Sequence, residues 1–439
     1  MTQDLTKLPL ITNPYLRDSN SGSLIKEFLF NHWKNKKFVF YKVMLLYQQL
    51  PKKPDIFQYI PTKVLNSIRI KNNVFLIYDC SNEGYSSLET PWNFFYIIQY
   101  NCKKYNIPIN KVIYATSNLR EKENLQKYIN SGNINMSLRN DMKIFYFHAF
   151  KWSIGNRLKG ELIANVFPLQ SEYNHIYTHG ENESHVKVKI KSNRYWKVMK
   201  ENFQQSYIHN KIILSLSRRS REHRVLANYV LKMNKDTNNY CTVSQGLLQK
   251  TLNGHNIQSI QDYLKKELPI FGMRYDRKWL KMLPIIADTS DFATNHAHNL
   301  NVKLCQQHLI ELVLETDVDN KNNTMMFFSE KTFRPIGLLM PFIIYGHQHC
   351  YKYLQNLGFI LYTDIFDYSF DSEPDNTKRF YLIFCQLKKL IDTLKNMSHQ
   401  EQINWRLSHK SALIHNFEKL FEYKDELQDF QSLIAYTRQ

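Results

Sequence analysis

The chain has 439 residues, of which 43% are hydrophobic and 22% are charged, which excludes a largely disordered chain and leaves room for two or three domains. Lysine and arginine number 58 against 39 aspartate and glutamate, and the formal charge of +19 favours anionic partners such as nucleic acid, nucleotide phosphates or an anionic membrane face. A biased codon pool is the alternative explanation of this charge.

The first half of the chain changes its pattern near residue 73. Residues 1–20 are polar, and 23–49 have helix-like apolar spacing. Short apolar runs then alternate with helical spacing. Strands are predicted at 74–79, 111–116 and 142–150, and helices at 88–105 and 121–130. This alternation predicts a parallel sheet with crossover helices.

The second half repeats the alternation after a polar segment at 170–195, which we interpret as a linker. Strands are predicted at 211–217, 240–244, 308–316, 341–346 and 359–364, and helices at 220–233, from Ser329, at 349–357, and three times between 376 and about 436. The pattern predicts an α/β protein of two Rossmann-like domains with a ligand cleft between them. The predicted divisions are a helical lead-in (1–70), a first domain (71–185), a second domain (196–375) and C-terminal helices (376–439).

Several common sites are disfavoured. Neither G-x-G-x-x-G nor G-x-x-x-x-G-K-[ST] occurs, which argues against a dinucleotide oxidoreductase or a P-loop NTPase. The six cysteines form no C-x-x-C pair, so we expect free thiols in a reducing compartment. The acids of 315–323 lack the spacing of a calcium loop. No apolar stretch of about 18 residues and no secretory signal is present, which predicts a cytoplasmic protein without a transmembrane segment.

The segment SEKTFRPI (329–336) carries the clearest candidate site. Ser329 is a suitable helix N-cap, and Glu330 and Lys331 fall in the first turn. A cation there opposes the helix dipole, and a bound diphosphate would explain it. Glu330 would then accept hydrogen bonds from a ribose diol, and we expect both side chains to be exposed in the cleft. The alternative is a capped surface helix with solvated charges.

A second candidate is the basic segment LSLSRRSREHR (214–224), at a predicted strand-to-helix turn. Guanidinium groups bind diphosphates through paired hydrogen bonds. Arg218 or Arg219 is the first choice for phosphate, and Arg224 is a further candidate. A structural role for Arg224 and His223 is equally consistent with the sequence. The alternative for the whole segment is a solvated helix start or a contact with a nucleic-acid backbone.

Residues from about 305 to 380 resemble the C-terminal half of glycosyltransferase-like proteins encoded by bacteriophages. The E-T, T-E-K-T-F-K-P-I, P-F-I and L-G-F-x-T-F elements of that family match Glu315–Thr316, 329–336, 341–343 and 357–362. The E-K pair is also similar to that of α1,3-fucosyltransferases, which implies a ribose contact for Glu330 and a diphosphate contact for Lys331. The resemblance implies two domains facing each other across a cleft (GT-B-like), a nucleotide-sugar donor, no tightly bound cofactor and no essential metal.

A transferase that inverts the sugar needs a carboxylate to take the proton of the acceptor hydroxyl. In IYDCSNEGYS (77–86), Asp79 ends a predicted strand and Glu83 lies in the following loop. We predict Glu83 as the base and Asp79 as the second choice, although an Asp at a strand end often forms an Asx turn. His148 is a lesser candidate, since a lone histidine in an apolar strand is commonly a core residue.

The resemblance and the positive charge together predict a glycosyltransferase that acts on a hydroxymethylated pyrimidine of phage DNA, with duplex DNA as its partner. One alternative is transfer to a cell-surface or lipid-linked glycan. A second is a nucleic-acid-binding protein without catalytic activity that keeps the fold.

Overall fold

The fold is described from a computed structural model, which shows a mixed α/β protein with two parallel sheets and many helices. The structure describes residues 11–12, 37–42, 55, 57–72, 74–81, 86–88, 93–132, 142–147, 151, 177–178, 189–190, 192–217, 219–246, 257–287, 302–318, 324–422 and 424–435. No helix within these ranges is long and apolar enough to cross a membrane.

The first sheet has five parallel strands in sequence order. They are β1 (Ile11–Thr12), β2 (Lys37–Lys42), β3 (Val74–Cys80), β4 (Val112–Thr116) and β5 (Lys143–Tyr146). Its helices are α1 (Thr62–Ile70), α2 (Phe94–Lys104) and α3 (Glu121–Asn130). Both β3 and β4 are buried along their whole length, as expected for a parallel sheet with both faces covered. The three strands and two helices predicted after residue 73 are confirmed over their described residues, while 89–92 of the first predicted helix and 148–150 of the third predicted strand lie outside the described ranges.

The helical prediction for residues 23–49 is wrong at β2. The segment KFVFYK pairs in register with β3, from Lys37 opposite Val74 to Lys42 opposite Asp79. Aromatic and β-branched residues suit a pleated strand, and the pairing with β3 overrides their helix-like spacing. Strands from the lead-in therefore belong to the same sheet as the segment that follows them.

The second sheet has four parallel strands in the order β11-β10-β8-β9. They are β8 (Ile213–Ser217), β9 (Cys241–Gln245), β10 (Ile310–Leu314) and β11 (Phe342–Tyr345), as the sequence predicts. A short antiparallel pair, β6 (Tyr177–Thr178) and β7 (Lys189–Ile190), lies in the segment interpreted as a linker. Each large sheet packs into a hydrophobic cluster of its own.

Helices cover the second sheet and close the described chain. They are α4 (Ser192–Ser206), α5 (Glu222–Met233), α6 (Ile257–Glu267), α7 (Lys278–Met282), α8 (Val302–Gln306), α9 (Glu330–Gly337), α10 (Cys350–Asn356), α11 (Asn376–Leu394), α12 (His399–Ser408), α13 (Lys410–Leu420) and α14 (Lys424–Ala435). Among the described residues, four helices begin at or after Asn376 where three were predicted, because Ser398 caps a new helix through a capping box and His409 separates the next two.

The strand predicted at 359–364 does not form. Gly358 has a φ of 84°, which turns the chain, and the backbone that follows finds side-chain partners. Ile360 N donates to Asn416 Oδ1 at 2.7 Å, Asn416 Nδ2 donates to Ile360 O at 2.9 Å, and Tyr362 N donates to the Tyr368 hydroxyl at 3.1 Å. Side chains thus satisfy backbone N–H and C=O groups that would otherwise hydrogen-bond to a neighbouring strand.

The last helix, α14, returns to the first sheet. Phe430 is fully buried, and its ring meets that of Phe145 in β5 edge-on, with centroids 4.9 Å apart. The Nζ of Lys151, which is 3% exposed, lies 3.1 Å from Glu426 Oε1 and 2.6 Å from Glu422 O. Although α13 packs against α4 and α9 near the second sheet, the helix that follows it is tied to the first.

Candidate functional site

The candidate site lies at the carboxyl end of the second sheet. Glu315 follows β10 directly, Gly346 and His347 follow β11, and the basic segment joins β8 to α5. The first turn of α9 begins at the same edge, where its cap residue Ser329 contacts Glu315. Ligands of open α/β sheets bind at this edge.

Glu315 is 2% exposed, and its carboxylate accepts four hydrogen bonds at this edge of the sheet. Oε1 accepts from Ser329 N at 3.1 Å and from Thr332 Oγ1 at 2.5 Å. Oε2 accepts from Ser329 Oγ at 2.6 Å and from Thr316 N at 2.9 Å. The start of α9 is therefore fixed to the end of β10 by one side chain.

The main-chain oxygen of Glu315 fixes α5 in the same way. It accepts from His223 Nε2 at 3.0 Å and from Nε and Nη2 of Arg224 at 3.0 and 2.9 Å. Since a carbonyl oxygen only accepts, Nε2 of His223 carries a proton. Burial, then the charge of Arg224, lowers the pKa of His223 to about 3, so the imidazole is neutral.

Arg224 is 2% exposed and binds the protein main chain. Burial, followed by the charge of Arg221, lowers its pKa to about 10. The residue remains a cation at neutral pH, and it lies close enough to Glu330 and Lys331 for their charges to interact. Arg224 therefore binds the main chain of Glu315 and at the same time lies beside Glu330 and Lys331.

The expectation that Glu330 and Lys331 are exposed is wrong. Glu330 is 5% exposed and the side chain of Lys331 is 18% exposed. Lys331 Nζ lies 2.6 Å from Glu330 Oε1 and 3.4 Å from Ser329 Oγ, so oxygen atoms at the start of α9 replace solvent around the ammonium. Burial lowers the pKa of Lys331 in spite of the Glu330 charge.

The remaining basic candidates lie at the turn after β8. Arg219 is exposed, and its main-chain oxygen accepts from Arg221 N at 3.0 Å, which tightens the turn. Its charge also acts on Arg224. Arg218 lies outside the described residues. The structure thus brings Arg219, Arg224, Glu330 and Lys331 to one edge of the sheet.

Of the two carboxylate candidates, the structure describes Asp79, which lies in the first sheet. Asp79, in β3, is 2% exposed, and its Oδ1 accepts from Ser81 N at 3.0 Å and from Ser81 Oγ at 2.6 Å. This is the Asx turn that the sequence analysis names as the structural alternative. Glu83 and His148 lie outside the described residues.

The segment that follows β4 contacts the segment that leads into α9. Asn118 Nδ2 and Asn124 Nδ2 donate to Thr324 O at 3.0 and 2.7 Å, and Met326 N donates back to Asn118 Oδ1 at 2.9 Å. Leu119 N also donates to Met326 O at 2.9 Å. These contacts bind the carboxyl end of β4 to the segment that leads into Ser329, so the carboxyl edges of both sheets approach the candidate site.

Glu121, at the start of α3, holds the two asparagines in place. It is fully buried, and its carboxylate accepts from Asn118 Nδ2 at 2.7 Å, Asn124 Nδ2 at 3.0 Å and Ser87 N at 2.9 Å. Burial raises its pKa to about 7, against the opposing effect of these hydrogen bonds. We therefore expect the contact between this segment and Thr324 to depend on pH.

This pKa predicts a pH-dependent stability. The folded-state pKa is raised from 4.5, so the stabilisation by protonated Glu121 is full below pH 4.5 and is lost as the pH rises through about 7. Chemical denaturation over this range should show the wild type losing roughly 3 kcal/mol relative to Glu121→Gln. Glu123→Gln, at a carboxylate that is 55% exposed, is the control and should follow the wild-type profile. A pH-independent difference between wild type and Glu121→Gln would contradict the assignment.

Sequence reasoning missed the contact between Glu315 and Thr332 and the burial of His347. The E-T element at 315–316 marks the first of these positions but does not reveal a buried carboxylate that binds the start of α9. His347 follows an apolar strand, and only the fold shows what surrounds it. No group of three or more His, Cys, Asp or Glu within the described ranges is placed to hold a metal ion.

Comparison with known proteins found no relative: no protein-family model matches the chain, and no curated protein or solved structure is significantly similar to it.

Proposed function

We propose that the protein is a glycosyltransferase of the GT-B type, in which the two sheets with their helices form two domains around a nucleotide-sugar. The observation that carries this proposal is the convergence of Arg219, Arg224, Glu330 and Lys331 at one carboxyl edge of a parallel sheet, beside the N-terminus of α9. Cations and a helix N-terminus at such an edge suit a diphosphate.

The buried ammonium of Lys331 supports a diphosphate as ligand. Because burial disfavours its charge, an additional anion at the first turn of α9 would stabilise it. The nucleoside diphosphate is also the leaving group of the reaction, and cations held in place stabilise the charge that develops on it. Glu330 remains the candidate for the ribose hydroxyls.

The reaction needs a general base, and at the anomeric carbon one bond forms while another breaks. A carboxylate of the first domain takes the proton of the acceptor hydroxyl, and the hydroxyl oxygen bonds to the anomeric carbon of the sugar. The bond from that carbon to the phosphate oxygen breaks, and the nucleoside diphosphate leaves with the electron pair. We assign the base to Glu83, since the carboxylate of Asp79 already accepts two hydrogen bonds from Ser81.

The acceptor in this proposal is a hydroxymethylated pyrimidine of duplex DNA. The charge of +19 supports an anionic acceptor, and the resemblance to phage proteins supports DNA. A base within a duplex must be flipped out of the stack to reach the site. Transfer to a glycan and not to DNA would support the alternative acceptor, and binding of DNA without release of nucleotide from any donor would support a non-catalytic role.

Replacing Lys331 by methionine tests the donor site. The change keeps the length of the buried stem and removes the charge, so nucleoside diphosphate affinity should fall about 10- to 150-fold, equivalent to about 1.5–3 kcal/mol. Calorimetric titration with UDP, GDP, CDP and TDP measures it. Lys395→Ala removes an exposed lysine at the far end of α11 and should leave affinity unchanged. Equal affinity of wild type and Lys331→Met would exclude Lys331 from the site.

A further inference from the structure

Asn118, two residues after β4, joins the segment that follows this strand to the segment that leads into α9. The residue is fully buried, and its side-chain amide makes the four hydrogen bonds open to an asparagine. Nδ2 donates to Glu121 Oε2 at 2.7 Å and to Thr324 O at 3.0 Å. Oδ1 accepts from Arg120 N at 3.1 Å and from Met326 N at 2.9 Å. Two of the bonds are therefore local, and two cross to the segment before α9.

The neighbours of Asn118 also hold the residues on both sides of Glu83. Ser117 Oγ donates to Ser81 O at 2.7 Å. Glu121, which Asn118 contacts directly, accepts from Ser87 N through its Oε1 at 2.9 Å. Ser81 precedes Glu83 in the chain and Ser87 follows it, so hydrogen bonds fix both flanks of the segment that contains the proposed base.

The start of α9 is held to the second sheet by other contacts. Glu315 Oε1 accepts from Ser329 N, and Arg334 pairs with Glu311 in β10. Neither contact involves Asn118. Loss of the Asn118 side chain should therefore leave the first turn of α9 attached to β10, while the segment after β4 loses two of its bonds to the residues before α9.

We propose that Asn118 is a positioning residue for sugar transfer, which places the proposed base relative to the donor at α9. This inference rests on the proposed function. The base must reach the acceptor hydroxyl while that oxygen faces the anomeric carbon, and a misplacement of about 1 Å can lower a rate about 10²-fold. The role holds for either carboxylate candidate, since Asp79 is also bound to Ser81.

The test measures the transfer rate and the donor affinity separately. Single-turnover rates are measured with a panel of nucleotide-sugars and with hydroxymethylated duplex DNA, glycan and lipid-linked acceptors. Asn118→Ala should lower the rate about 10²-fold. Its affinities for UDP, GDP, CDP and TDP, measured by calorimetry, should stay within about twofold of the wild type, because the residues proposed to bind the diphosphate remain fixed to the second sheet.

A second variant serves if Asn118→Ala does not fold. Asn124 Nδ2 donates to Thr324 O at 2.7 Å and to Ser86 Oγ at 3.2 Å, so its side chain also links the two segments. Asn124→Ala leaves the contact of Asn118 with Met326 in place and should show the same loss of rate with unchanged nucleotide affinity.

Asn101→Ala is the matched control. Asn101 is equally buried, in α2, and its side chain accepts from Phe57 N at 2.9 Å and donates to Ile97 O at 2.8 Å. Neither partner belongs to the segment before α9. This variant should lower the melting temperature without changing the transfer rate or the nucleotide affinity.

A double variant distinguishes the placement of the base from a general disturbance of the site. In Glu83→Gln the base is already lost, so adding Asn118→Ala should lower the rate much less than it does in the wild type. If Asp79→Asn is the variant that loses the rate, it takes the place of Glu83→Gln in this comparison.

No loss of rate in Asn118→Ala and Asn124→Ala, an equal loss in Asn101→Ala, a loss of nucleotide affinity as large as the loss of rate, or an undiminished loss in the double variant would overturn the role of Asn118 and leave the proposed function intact. A wild type that transfers no sugar to any of these acceptors would overturn both.

Discussion

Replacing Arg334 by methionine should lower the free energy of unfolding by about 3–5 kcal/mol. Arg334 lies in α9, and its Nη2 is in contact with Oε1 of Glu311 in β10. The Glu311 side chain is 1% exposed. Burial lowers the pKa of Arg334, but the charge and hydrogen bond of Glu311, with the charges of Cys305 and Glu330, together raise it more, so the net shift is upward. Without Arg334, the carboxylate of Glu311 is left in the core with no opposite charge beside it.

A double variant distinguishes the loss of the whole Arg334–Glu311 ion pair from the loss of only one of its charges. In Glu311→Leu with Arg334→Met, apolar groups of similar size replace both charges, and most of the lost stability should return. Urea denaturation of both single variants and of the double variant measures this coupling. A loss below about 1 kcal/mol in Arg334→Met, or equal losses in the single and double variants, would show that the pair does not hold α9 to the sheet.

Glu83→Gln should lower the rate of sugar transfer about 10²- to 10⁴-fold and leave donor binding unchanged, because a general base contributes that much to such reactions. Asp79→Asn is the matched comparison. The asparagine oxygen can still accept the hydrogen bonds of Ser81 N and Oγ, so the Asx turn survives while the negative charge is removed.

Single-turnover rates of the two variants, with saturating donor, decide between the carboxylates. We expect Asp79→Asn to stay within about tenfold of the wild type. A large loss in Asp79→Asn, with a loss below about tenfold in Glu83→Gln, would transfer the role of base to Asp79. The melting temperature of Asp79→Asn is the control for an intact turn.

Local sequence determined the strands well. The apolar runs at 74–79, 111–116 and 341–346 correspond to observed strands because buried parallel strands need continuous apolar side chains. The same rule failed at 359–364. There, side chains from outside the apolar run, those of Asn416 and Tyr368, accept the hydrogen bonds of backbone N–H groups. At β2, pairing with β3 decided the conformation, and a helical period could not reveal that pairing.

The sequence named Arg219, Arg224, Glu330 and Lys331, which the structure brings to one edge of the second sheet, but it did not reveal their environment. Ser329 was recognised as an N-cap from its position, and its side chain does accept from Lys331 N. Lys331 Nζ also lies 3.5 Å from Thr316 Oγ1 in the segment after β10, a contact that the sequence around α9 does not reveal. Glu315 acts through contacts with α5 and α9 that only the folded chain creates, so its role could not be read from its own segment.

The most direct measurement mixes the protein with a panel of nucleotide-sugars and with duplex DNA that carries either plain or hydroxymethylated pyrimidines, followed by mass spectrometry of the bases. We expect a base heavier by one sugar in the hydroxymethylated DNA alone, because plain pyrimidines lack the alcohol nucleophile, and a much smaller yield with Lys331→Met. Release of no nucleotide from any donor, with DNA, glycan and lipid-linked acceptors all present and all unmodified, would contradict the assignment as a glycosyltransferase.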